Sequence, residues 1–130
     1  KFNKENLDFL CNNNPPTFPE GLDVEIFSMN TLKTMYLNAY NDFEREHVTQ
    51  YCHRNRDLFK FDNYANKEDY SVYRLTIDTI KDLEFCNNLC NSIPGLEKEN
   101  LPFSIIVDYL NNNQQLIKEY LVNNRSEMYR

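Results

Sequence analysis

Three acidic segments follow one another along this chain, each putting carboxylates at the end of an expected strand or the start of an expected helix, and their order restricts the fold more than any other feature. Residues 17–27 read Thr-Phe-Pro-Glu-Gly-Leu-Asp-Val-Glu-Ile-Phe, residues 44–51 read Glu-Arg-Glu-His-Val-Thr-Gln-Tyr, and residues 74–84 read Arg-Leu-Thr-Ile-Asp-Thr-Ile-Lys-Asp-Leu-Glu. Carboxylates at strand ends and helix starts are aimed by chain direction into the crevice where open α/β sheets bind ligands. That arrangement suits a metal-assisted nucleotide site. The chain has only two glycines, Gly21 and Gly95, too few for a glycine-rich phosphate cradle, so the expected site is half a site.

The local patterns predict an α/β layer structure. Pro15, Pro16 and Pro19 make residues 12–21 an extended, turn-rich loop. Residues 22–28 read as a strand in which Leu22, Val24 and Ile26 face the core and Asp23 and Glu25 share the opposite face. A helix capped by Ser28 or Asn30 runs to about residue 41, and a second spans about 42–55. Strands are expected at 58–64 and at 72–77, the latter ending on Asp78. Thr79 with Asp82 three residues on marks a helix start, with Ile80, Leu83, Cys86, Leu89 and Cys90 towards the core and Asp82 and Glu84 towards solvent. Pro94 and Gly95 stop this helix. A last helical region after Ser104 carries Ile105, Ile106, Tyr109 and Leu110, then Leu116, Ile117, Tyr120 and Leu121.

Bulk properties narrow the function classes. At 130 residues the chain is expected to be one domain, residues 1–130. A net charge of −6 with scattered basic residues argues against nucleic acid and anionic membrane as partners. No apolar run approaches the roughly 18 residues that span a bilayer, and the first residues lack the apolar core of a secretion signal, so a cytoplasmic location is expected. The opening on Lys1 suggests a piece of a longer protein. Cys11, Cys52, Cys86 and Cys90 lack zinc-knuckle spacing and are expected to be core residues rather than ligands or disulfides.

Asp78 is the first candidate for chemistry. Mg²⁺ takes one or two protein carboxylates and leaves its other positions to phosphate and water, and it neutralises charge on a transferring phosphoryl group. The competing assignment is a helix cap shared with Thr79. Arg74, four residues earlier on the same strand side, is placed to pair with Asp78 or with a phosphate. Asp23 and Glu25 are candidate sugar or metal contacts, or else a solvated strand face. Glu46 and His47, in the first turn of the second helix, are candidate catalytic groups, with Thr49 a candidate substrate contact. His47 is equally suited to a structural hydrogen bond.

At these three segments the chain resembles the cytidylyltransferases of the spore-coat-polysaccharide-biosynthesis type, relatives of the enzymes that activate sialic acid and 3-deoxy-manno-octulosonate as CMP derivatives. The resemblance runs from about Leu7 to Arg130. It covers the proline-rich turn with Gly-Leu-Asp-Val-Glu, the Arg-Glu-His-Val-Thr segment, residues 74–84, and a tail, Asn124-Arg125-Ser126-Glu127-Met128-Tyr129, similar to the family's Arg-Asn-Glu-Gly-Tyr. It implies the C-terminal portion of a Rossmann-like nucleotide-diphospho-sugar transferase sandwich. It also implies attack of a sugar or sugar-acid hydroxyl on the α-phosphate of CTP in surface polysaccharide biosynthesis, with Asp78 as a Mg²⁺ ligand and a homodimer as an expected assembly. The family's other half, with its Arg-x-Gly-Ser-x-Arg-like nucleotide loop and second metal-binding Asp, has no counterpart here, and Ser126 and Met128 replace the tail's Asn and Gly. The rival expectations are a glycosyltransferase or another nucleotidyltransferase of the same fold, and a non-catalytic association module.

Overall fold

In a computed structural model that describes residues 1–96 and 101–124, the chain is mixed α/β and packs as two compact units. The first unit comprises Lys1–Phe18 and Asp23–Asp69, and the second Pro19–Leu22 and Tyr70–Arg130. The tail motif from Arg125 lies outside the described residues.

The first unit is built on a three-stranded sheet. After the short helix α1 (Phe2–Glu5) come β1 (Phe9–Cys11) and β2 (Glu25–Phe27), then α2 (Met29–Asn38), α3 (Asp42–Glu46), α4 (Gln50–Arg54), a 3₁₀ turn (Arg56–Leu58) and β3 (Phe61–Asn63). The strand order is β2-β1-β3, antiparallel to one side of β1 and parallel to the other. Register places Phe27 and Phe61 on either side of Phe9, and the rings stack at 5.6 and 5.0 Å between centroids. Phe9, Cys11, Met35 and Cys52 form the buried centre, packed by Leu32 of α2 and Tyr51 of α4. Replacing Phe9 by Ala removes the middle ring of that stack and is expected to cost about 3–5 kcal/mol in chemical denaturation.

The strand predicted at 22–28 shrinks to Glu25–Phe27, and its faces are inverted. Glu25 and Phe27 lie over the aromatic core, whereas Val24 and Ile26 are 53% and 44% exposed. Asp23 is exposed outside the strand and does not share a face with Glu25 in it. The Phe27–Phe9 stack sets this choice, because alternation specifies a period but not which face turns inward. The single helix expected over 42–55 is interrupted at residues 47–49. Val48 and Thr49 are β-branched and disfavour helix, and the Thr49 hydroxyl serves Glu25 rather than the end of α4.

The second unit contains α5 (Ile80–Ser92), α6 (Phe103–Asn112) and α7 (Gln114–Asn124) around Tyr73, Phe85, Leu89, Ile93, Leu110, Ile117 and Tyr120. The predicted strand at 72–77 is instead extended chain tied by one bridge: Glu20 N donates to Tyr73 O and Leu75 N donates to Glu20 O. No longer neighbouring strand pairs with it among the described residues. Gly21, at φ 97°, turns the chain beside this segment, where a Cβ would stand 2.8 Å from the Leu75 carbonyl carbon. The buried stripe of α5 is Asp82, Phe85 and Leu89, so the predicted face is rotated: Ile80, Leu83 and Cys90 are exposed, while Asp82 is fully buried instead of solvent-facing. No helix among the described residues is long and apolar enough to cross a membrane.

Candidate functional site

The second unit concentrates its charge around one guanidinium. Arg74, 6% exposed, donates from Nη1 to Glu20 Oε1 at 2.5 Å and from Nη2 to Asp78 Oδ2 at 2.6 Å, and Nη2 lies 3.6 Å from Asp82 Oδ2. One cation therefore faces three carboxylates. Asp82 is held from several directions at once. Its Oδ2 accepts from the backbone N–H of Asp78 at 3.0 Å and of Thr79 at 2.7 Å and from the Thr79 hydroxyl at 3.0 Å, while Oδ1 accepts from the Tyr120 hydroxyl. Thr79 Oγ1 accepts in return from Asp82 N, so the expected helix cap is a reciprocal capping box. Burial alone would raise the Asp82 pKa, but the Tyr120 hydroxyl and the amides of residues 78 and 79 outweigh it and hold the carboxyl well below the ordinary range. Burial likewise opposes the charge of Arg74, and its carboxylate partners, Asp78 first, raise its pKa.

Asp78 behaves differently from Asp82. Its side chain is 62% exposed, with Oδ2 engaged by Arg74, and the capping acceptor is Asp82 rather than Asp78. Arg74 Nε and Thr76 Oγ1 are buried without a hydrogen-bond partner among the described residues. Also among the described residues, no group of three or more His, Cys, Asp or Glu side chains converges to hold a metal ion. Asp78 thus fits a cation only as a single exposed carboxylate ligand, the mode in which Mg²⁺ keeps most of its coordination for phosphate and water.

The first unit holds a separate polar cluster on the aromatic face of the sheet. Glu25 Oε1 lies 2.6 Å from His53 Nε2, and the His53 Nδ1 lies 3.1 Å from Asn14 Nδ2. The amide N–H of Asn14 makes Nδ1 the acceptor, which leaves the ring proton on Nε2 to be donated to Glu25. Thr49 and Asn13 add side-chain hydrogen bonds to the same carboxylate. Burial opposes the charge of Glu25, and the bonds from His53 and Thr49 overcome it and lower its pKa. With side chains 12% and 21% exposed, His53 and Glu25 form a fixed pair rather than a free acid and base. Glu25→Gln is expected to destabilise the chain by about 1–3 kcal/mol at neutral pH. Because the folded carboxyl titrates below the unfolded one, that contribution is present above the ordinary carboxylate range and is lost as pH falls through the lowered folded value. Urea midpoints measured from neutral to acidic pH check both statements.

Of the residues singled out from the sequence, the fold joins Arg74 to Asp78 and Glu25 to Thr49. Glu46 is exposed at the end of α3, and His47 is an exposed C-cap whose ring packs edge-on against Phe43 at 4.7 Å. The helix break therefore puts Glu46 and His47 at a helix end, not in a first turn. The pairing of His53 with Glu25, of Glu20 with Arg74 and of Asp82 with Tyr120 went unread because each joins residues distant in the chain. Burial pushes the Cys52 thiol up to about 12, which makes it a packing group rather than a nucleophile.

No family model matches the chain. An uncharacterised protein of Methanocaldococcus jannaschii is 35% identical over 130 residues, covering 98% of this chain and 50% of that protein. The structure of a cytidylyltransferase from Leptospira borgpetersenii serovar Hardjo-bovis superposes with a TM-score of 0.80 at 32% identity, over 89% of this chain and 48% of the other. The mixed α/β fold is thus that of the matched part of a cytidylyltransferase, and the chain spans about half the length of both proteins.

Proposed function

We propose that this chain is one half of a nucleotidyltransferase that joins the CMP unit of CTP to a sugar or sugar acid and releases pyrophosphate, the spore-coat-type chemistry of surface polysaccharide synthesis. The observation that carries the proposal is the structural likeness to a cytidylyltransferase across nearly the whole chain at 32% identity. The exposed carboxylate of Asp78, set against Arg74, supports it further.

In this reading Asp78 would hold a Mg²⁺ ion, and the ion would supply charge neutralisation for the triphosphate. Arg74 fixes the orientation of the Asp78 carboxylate and is itself fixed by Glu20 and Asp82. The sugar hydroxyl oxygen forms a bond to the α-phosphorus as the bond to the pyrophosphate oxygen breaks. The hydroxyl proton passes to a base. Glu25 contributes by holding Thr49 and His53 in place.

The nucleotide loop comes from the half of the relatives' length that this chain lacks. Competition binding tests the cytidylyl assignment on the protein completed with that half. CTP should displace a labelled nucleotide at concentrations at least tenfold lower than UTP or GTP. Equal competition by all three would remove the cytidylyl assignment, and preference for UTP or GTP would reassign the donor.

A further inference from the structure

Helices α2 and α4 pack on one face of the first unit's sheet, and we infer that the groove over the other face, floored by the buried Leu10, is the seat for the half of the relatives' length that this chain lacks. This rests on the half-length reading but not on the cytidylyl chemistry. Register puts Leu10, Ile26 and Asp62 on the face opposite the aromatic row. The helices α2 and α4 pack on the aromatic row. Over the opposite face lies an open groove of about 610 Å³ lined by Leu10, Val24, Ile26, Phe2, Phe18 and Tyr64 among others.

Three observations select the occupant. First, β1 and β3 are parallel, and sheets with parallel pairing are stable chiefly when both faces are covered. Second, Val24 and Ile26 are apolar side chains left 53% and 44% exposed within one groove, a pattern that marks an interface. Third, both matched proteins are about twice as long as the matched region, so each brings a second stretch of comparable length to the fold. The groove is apolar, so the segment that fills it presents an apolar helix or strand face.

The test joins the chain to the unmatched half of the Methanocaldococcus jannaschii relative by co-expression and, in a second form, as one fused polypeptide. An Ile26→Cys variant is labelled with a maleimide and read by peptide-resolved mass spectrometry, which separates position 26 from the native cysteines. Labelling is expected to slow at least tenfold in the co-expressed complex or the fusion relative to the chain alone. Val24→Asp should weaken the two-chain complex at least tenfold, and Tyr40→Asp on the exposed surface after α2 should leave it unchanged.

Unchanged labelling in both forms, a complex insensitive to Val24→Asp, or protection of position 26 in the chain alone through self-association would each overturn the inference. A complex that protects position 26 but releases no pyrophosphate keeps this inference and refutes the enzymatic one. Turnover with position 26 still open does the reverse.

Discussion

Replacing Asp82 by Ala is expected to lower the unfolding free energy by about 3–5 kcal/mol, more than any other single charged residue of this chain. The carboxylate is fully buried and accepts from two backbone amides, two hydroxyls and, at longer range, the Arg74 guanidinium. Removing it strands the Tyr120 hydroxyl within the core, takes away one half of the capping box of α5, and leaves Arg74 with only its two more exposed partners. Each deserted buried donor adds a desolvation cost of about 1–3 kcal/mol. In urea the midpoint should fall with the slope unchanged, the signature of lost stability rather than an altered unfolded state. Asp82→Asn keeps the shape and some acceptor capacity and should recover part of the loss.

The same residue sets an acid limit. Its folded pKa is depressed, so its contribution is complete above the unfolded carboxylate value of about 4 and is lost progressively as pH falls towards the still lower folded value. The Asp82→Ala protein should therefore show a flatter decline of stability below about pH 4 than the unsubstituted chain.

Asp78→Ala is expected to do the opposite: leave folding nearly intact and remove activity. The side chain is 62% exposed, and without it the buried Arg74 guanidinium still has the carboxylates of Glu20 and Asp82 as partners. If Asp78 holds the cation shared with the triphosphate, its loss should reduce pyrophosphate release by the completed protein about 10²–10³-fold, the scale seen when one electrostatic contact to a transition state is deleted. The thermal midpoint should stay close to that of the unsubstituted protein, and the Mg²⁺ dependence of turnover should move to higher concentrations. A variant with full turnover would assign Asp78 to the Arg74 ion pair alone.

How far these features could be read from the sequence depends on the range of the contact. Thr79 and Asp82 lie within one helical turn, and their capping box was legible from spacing. So was the Ser28 cap of α2, where Ser28 Oγ accepts from Thr31 N. What spacing could not reveal was that Asp82 faces inward, because the reason is Tyr120, 38 residues away. His53 has the same history, since Glu25 lies 28 residues before it. The central strand β1 was missed because Phe9, Leu10 and Cys11 are all buried, and a strand enclosed on both sides shows no alternation. The inverted face of β2 follows from the aromatic register with β1, which no pattern inside β2 encodes. The α/β class itself was legible, because it follows from the succession of local periods rather than from any one contact.

The account's central claim is that this chain carries part of a nucleotidyl-transfer site and that the rest comes from the half of the relatives' length it lacks. Pyrophosphate release from CTP in the presence of Mg²⁺ and candidate acidic sugars, measured for the 130-residue chain alone and for the same chain extended by the missing half, tests it most directly. The account predicts no release by the chain alone and sugar-dependent release by the extended protein. Turnover by the isolated chain, or an inert extended protein that folds and binds nucleotide, would contradict it.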